Sequence, residues 1–97
     1  MLETRYVWDE AKNRSNQKKH GISFEDGIMA FRDPFRVTID ERIEDGELRW
    51  QTFGMVRGSL LLMVAHTLSD DWESVVRIIS VRRVTKSERR IYENENG

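Results

Sequence analysis

Val75-Val76-Arg77-Ile78-Ile79-Ser80-Val81-Arg82-Arg83-Val84-Thr85-Lys86-Ser87-Glu88-Arg89-Arg90-Ile91-Tyr92 is the stretch on which the fold of this 97-residue chain turns. Its first half is β-branched and apolar with guanidinium groups interleaved, the composition of a strand. At Thr85 the pattern changes. Thr85-Lys86-Ser87-Glu88 has the spacing of a capping box, so a last helix is predicted through Tyr92, with the tail after Glu93 fraying. Arg77, Arg82, Arg83, Lys86, Arg89 and Arg90 face only Glu88, a local balance of +5 in a chain whose net charge is −1. A polyanion is the natural partner of such a patch.

Working outward, Leu60 to Leu68 is an apolar run whose length and flanks fit a buried central strand, with helix as the rival reading. Arg57-Gly58-Ser59 is a tight turn into it from a strand predicted over Leu48 to Val56. An acidic turn at Glu44-Asp45-Gly46 joins that strand to Phe35-Arg36-Val37-Thr38-Ile39 as a hairpin. Ser69-Asp70-Asp71 turns the chain into the strand from Glu73 to Val84. Near the start, Arg5 to Trp8 reads as a short strand. Asp9 is placed to cap a helix from Glu10 to Lys19, and Gly21 to stop it. Ser23-Phe24-Glu25-Asp26 opens a second helix, with Phe24, Ile28 and Phe31 on one face, and Pro34 ends it. The order β-α-α-β-β-β-β-α, with short turns between the later strands, implies an α+β fold: a mostly antiparallel sheet, helices packed mainly on one face and the other face open.

Composition excludes several classes. At 38% hydrophobic content, residues 1–97 are expected to form one domain without a linker. No apolar stretch approaches the roughly 18–20 residues needed to span a bilayer, and the start does not read as a signal peptide, so a soluble, cytoplasmic protein without a membrane partner is expected. With no cysteine there is no disulfide, thiolate nucleophile or zinc finger, and His20 and His66 lie far apart. No metal site or cofactor is expected. Serine-hydrolase elbow, phosphate-binding loop, zinc-protease and dinucleotide motifs are also missing from the sequence.

Trp8-Asp9 with Lys12 and Asn16, Lys19-His20-Gly21 followed by Phe24, Glu47-Leu48-Arg49 and Gly54, and Arg77-Ile78-Ile79-Ser80 with Arg82, Glu88, Arg89 and Tyr92 occur as spaced blocks in one order. In these blocks the chain resembles the BrnT family of type II toxin–antitoxin ribonucleases over nearly its whole length. It departs from the family pattern at Val81 and Val84, where alanine is usual, and at Ser59-Leu60, where a basic residue is common. The resemblance implies a RelE-like fold and a metal-independent RNA endonuclease that inhibits translation. It also implies neutralisation by a BrnA-like antitoxin, a ribbon-helix-helix DNA-binding protein through which alone operator DNA would be reached.

RNA is cut without metal when its 2′-hydroxyl attacks the adjacent phosphate, which needs a base, cations around the phosphorane and an acid for the departing 5′-oxygen. Arg77 and Arg82 are the expected phosphate clamps. They lie five apart, so both share a face only through a bulge or because Arg82 nears the strand end, and one of them can be structural. Arg49 is expected to reach the same face. Arg83, Lys86, Arg89 and Arg90 either track the RNA backbone or solvate a helix face.

Proton carriers are less defined. Glu88 is either a base or the capping-box partner of Thr85. His66 is either the proton-transfer group or a hydrogen-bonded core histidine. Tyr92 either stacks on a base and relays a proton or anchors the last helix. His20 reads as part of a helix C-cap. Trp8 and Trp50 read as core, and Trp72 as exposed toward a partner. A non-catalytic nucleic-acid-binding module, or a protein-interaction module, would use the same arginines without any proton carrier.

Overall fold

The structure, a computed structural model, describes residues 4–68 and 74–97; the turn at Ser69-Asp70-Asp71, Trp72 and the predicted strand start at Glu73 lie outside the described residues. The elements run β1 (Arg5–Val7), α1 (Glu10–His20), α2 (Phe24–Ala30), β2 (Val37–Glu44), β3 (Glu47–Val56), β4 (Leu60–Leu68), β5 (Val75–Arg83) and α3 (Lys86–Asn96). The strands form one sheet in the order β1-β5-β4-β3-β2, antiparallel except for the β1–β5 pair. Leu60 to Leu68 is a central strand rather than a helix. Its residues 61 to 67 are all buried, as a strand covered on both faces must be.

The local signals act where the residues stand. Asp45 and Gly46 both have positive φ, 53° and 76°, so the β2–β3 hairpin closes on the two-residue turn that an Asp-Gly pair favours. The Asp9 carboxylate accepts from the Ala11 and Lys12 N–H groups, and Gly21 closes α1 at φ 71° with its N–H on the Gln17 carbonyl. Thr85 and Glu88 form the reciprocal capping box of α3. That helix runs to Asn96, three residues past the predicted fraying point, because the Asn96 amide bonds the Phe35 and Tyr92 carbonyls at 2.8 Å. In β2 the strand begins two residues later than predicted and continues to Glu44, while Phe35 is exposed and its N–H goes to Asp33.

Alternation along β4 builds a core on each side of the sheet. Leu60, Leu62 and Val64 join Val76, Ile78 and Val81 beneath α1 and α2, with Ile22, Phe24 and Ala30. Leu61, Met63 and Ala65 join Phe53 on the other side, where Tyr92 of α3 packs on them. The second face is therefore not open along its length: α3 covers one end. Helices α1 and α2 share one face and α3 takes the other.

Helix α1 has almost no apolar face, and polar side chains hold it. Buried Asn16 donates to the Val81 carbonyl at 2.8 Å and accepts from the Val81 N–H at 3.1 Å, so its amide replaces a neighbouring strand where β1 has ended. Buried Asn13 accepts from the Phe24 N–H and donates to Glu25, fixing the α1–α2 corner. Among the described residues no helix is long and apolar enough to cross a membrane.

Candidate functional site

A bulge decides which arginines meet. Ala65 pairs with Ser80 but His66 with Ile78, so Ile79 is an extra residue in β5 and the alternation is reset there. Before it, Arg77 pairs with Thr67; after it, Arg82 pairs with Met63. Thr67 and Met63 both lie on the α3 side of β4, so Arg77 and Arg82 share that face. Arg49, odd-numbered like Phe53 on β3, points the same way.

Arg49 and Arg77 line one cavity of about 160 Å³ together with Asp9, Lys12, Ile78 and Ile79. Lys12 comes from the first turn of α1, where the chain has just left β1 at Val7, the partner of Arg77. Three cations against one carboxylate make the cavity positive. The Arg49 side chain is only 18% exposed, with Glu44 3.8 Å away, and its buried Nε has no hydrogen-bond partner. An unsatisfied buried donor costs about 1–3 kcal/mol, which an anionic oxygen would recover. Arg77 is half-exposed and pairs with Glu47 at the start of β3. Those two residues, with Thr67, also border an adjoining cleft of about 720 Å³ at that end of the sheet.

Arg82 lies on the same face but outside this cavity. Its guanidinium grips Glu88 bidentately at 2.8 and 2.9 Å, and Glu88 accepts from the Thr85 N–H as well. The Arg82 bond is the chief reason the Glu88 carboxyl titrates below its ordinary range, and Glu88 in turn raises Arg82. The capping-box reading of Glu88 thus describes what it touches.

His66 is not in the arginine site. It is 1% exposed, faces α2 with its ring 4.9 Å from that of Phe31, and pairs with Ile78 on the opposite side of the sheet. Its Nδ1–H donates to the Thr67 carbonyl, leaving Nε2 to accept from Thr52, whose hydroxyl meets that of Thr38 at 2.8 Å. Burial lowers its pKa, outweighing the Thr67 bond. Strand parity explains the separation: His66 is even and the residues of β4 on the arginine face are odd.

Tyr92 is also withdrawn from a base-stacking role, because its ring is in the core and its hydroxyl donates to Asp33 at 2.5 Å. Burial, then Asp33, push its pKa up to about 12. Arg83 pairs with Leu62 and so belongs to the α1–α2 side of β5. Lys86, Arg89 and Arg90 are exposed on α3 and do not line the cavity. Of the expected site residues, Arg49 and Arg77 converge and Arg82 shares their face. Lys12 and Asp9 were missed as site residues; they stand at the start of α1, whose distance in sequence from β5 conceals their proximity.

Fold and cavity together describe a small α+β protein with a cationic cavity lined by Lys12, Arg49 and Arg77. The chain belongs to the BrnT family: the model described as the ribonuclease toxin, BrnT, of type II toxin–antitoxin systems matches residues 8–88. The crystal structure of the Brucella abortus ribonuclease toxin BrnT aligns with a TM-score of 0.60 at 20% identity, over 87% of this chain and 100% of that one, a likeness of fold. No curated protein matches the chain significantly. Membership of a type II toxin–antitoxin family carries with it an antitoxin partner.

Proposed function

We propose that this one-domain chain, RelE-like in fold, is a metal-independent endoribonuclease that cleaves RNA through attack of the 2′-hydroxyl on the adjacent phosphate. The observation that supports it most is the convergence of Lys12, Arg49 and Arg77 on one cavity, with a buried Arg49 Nε lacking an acceptor. A scissile phosphate lodged there would accept a hydrogen bond from that nitrogen. Guanidinium groups stay charged at any working pH and carry forked donors matched to phosphate oxygens, so they stabilise the phosphorane as a metal would elsewhere. Arg82, locked by Glu88, sits farther along the face and extends the positive track toward α3, where Lys86, Arg89 and Arg90 meet the RNA backbone.

Cutting messenger RNA would inhibit translation and place the protein in the cytoplasm. A BrnA-like ribbon-helix-helix antitoxin neutralises it by covering the arginine face and alone contacts operator DNA.

The test is incubation of the purified protein with RNA in EDTA. A ribose substrate is cut to a cyclic-phosphate terminus while its 2′-deoxy counterpart survives. RNA bound but left intact would mean a binding module; cleavage lost in EDTA and restored by a divalent ion would overturn metal independence.

A further inference from the structure

The cationic cavity leaves open which group takes the 2′-hydroxyl proton, and three natural candidates are engaged elsewhere. His66 is on the opposite face, the Tyr92 hydroxyl is given to Asp33, and both Glu88 oxygens are held by Arg82. Asp9 beside the cavity spends Oδ1 on the α1 N-cap. Glu47 remains. It is the first residue of β3, aligned by alternation with Arg49, and its carboxylate is paired directly with the Arg77 guanidinium. Its side chain is 46% exposed, open to a substrate and to proton exchange with water. The Asp45-Gly46 turn, with positive φ at both residues, fixes the backbone on which it stands.

Resting on the ribonuclease reading above, we propose that Glu47 is the general base of the cleavage step, carried to the phosphate by its pairing with Arg77. As a phosphate oxygen takes the Arg77 donors, the carboxylate is released beside the ribose. Glu47 accepts the 2′-hydroxyl proton while the 2′-oxygen pair forms the new bond to phosphorus. The phosphorus–O5′ bond breaks, its pair leaves on O5′, and that oxygen takes a proton from water. The products are a 2′,3′-cyclic phosphate and a 5′-hydroxyl. Glu47 returns its proton to the hydroxide left behind. Near Glu47 stand Arg77, paired with it from β5, Arg49 two residues along its own strand, and Glu44, its register partner on β2.

Glu47→Gln keeps an oxygen to accept from Arg77 and removes only the base. With wild-type cleavage as the reference, it is expected to lower kcat by roughly 10²–10⁴-fold. Affinity for a 2′-O-methyl RNA should stay within about threefold, and the acid limb of the wild-type rate–pH profile should vanish. A Glu47→Gln rate within about threefold of wild type, with the profile intact, would overturn the proposal while leaving the ribonuclease reading standing. A wild type that leaves RNA uncut ends both. As a second arm, added formate restores cleavage by Glu47→Ala in proportion to its concentration; absence of rescue counts against the base.

Discussion

The Tyr92 hydroxyl donates to the Asp33 carboxylate at 2.5 Å, pinning the C-terminal helix to the end of α2 across 59 residues of chain. The same carboxylate accepts from the Phe35 and Met55 N–H groups at 2.8 and 2.7 Å. It therefore serves the start of β2, an edge of β3 and α3 at once. Tyr92→Phe keeps the ring in the core and is expected to cost about 1–3 kcal/mol by urea unfolding. Asp33→Ala, which also strands two backbone donors, should cost more. Burial alone would raise the Asp33 carboxyl, but these bonds and the charge of Arg36 outweigh it, and its pKa lies below the ordinary 3.8. A carboxyl depressed on folding contributes stability that is full above the unfolded value and lost as pH falls through the folded one. Urea midpoints should thus drop below about pH 4, and less steeply in Asp33→Asn.

Removing one cation from the cavity separates catalysis from stability. Arg77→Ala and Lys12→Ala are each expected to slow RNA cleavage on the order of 100-fold while shifting stability by less than about 1 kcal/mol, because their side chains meet solvent. Arg49→Met should lose activity similarly, yet unfold at an equal or higher urea concentration, since it removes a buried donor without an acceptor. Rates and urea midpoints on the same preparations decide this.

His66 is predicted to matter for folding alone. His66→Ala should cost about 2–4 kcal/mol through the lost ring contacts and the stranded Thr52 hydroxyl. Cleavage per folded molecule should remain within a few-fold of wild type. A histidine whose pKa is lowered on folding is protonated first in the unfolded chain, so its contribution is full above the ordinary 6.5 and declines as pH falls below it. The difference in urea midpoint between wild type and His66→Ala should shrink from about pH 7 to pH 5.

Gly54 is where α2 meets the sheet backbone to backbone: a Cβ there would lie 2.2 Å from the Ala30 carbonyl oxygen. That oxygen belongs to the main chain and cannot swing aside, so Gly54→Ala must lift α2 or bend β3. A cost of about 3 kcal/mol or more is expected, read as a lowered Tm. The arginine cavity on the opposite face should keep its RNA affinity in the folded fraction.

How much was legible follows the range over which each signal acts. The Asp9 cap, the Gly21 stop, the Asp45-Gly46 turn and the Thr85–Glu88 box each depend on a few consecutive backbone groups, and all stand where their residues imply. Parity left the relation of Arg77 to Arg82 undecided, because a bulge depends on how β4 and β5 pair. The anchoring of α1 was hidden for a similar reason. Asn16 looks like an ordinary helix-surface residue until Val81, 65 positions away, presents an unpaired N–H and carbonyl.

Alone, the order of residues settled most of the elements, with Leu60 to Leu68 left between strand and helix, the turns between most of them, the positive character of the last strand and helix, and the family resemblance. Those properties reside in local backbone preference and in charge, which do not depend on distant neighbours. Tertiary structure decided which charges share a cavity, that His66 lies behind the sheet, that α3 covers part of the second face and that Glu47 meets Arg77. Each of these is a matter of strand register and facing, and register is set only when separate segments pair and bury their apolar sides together.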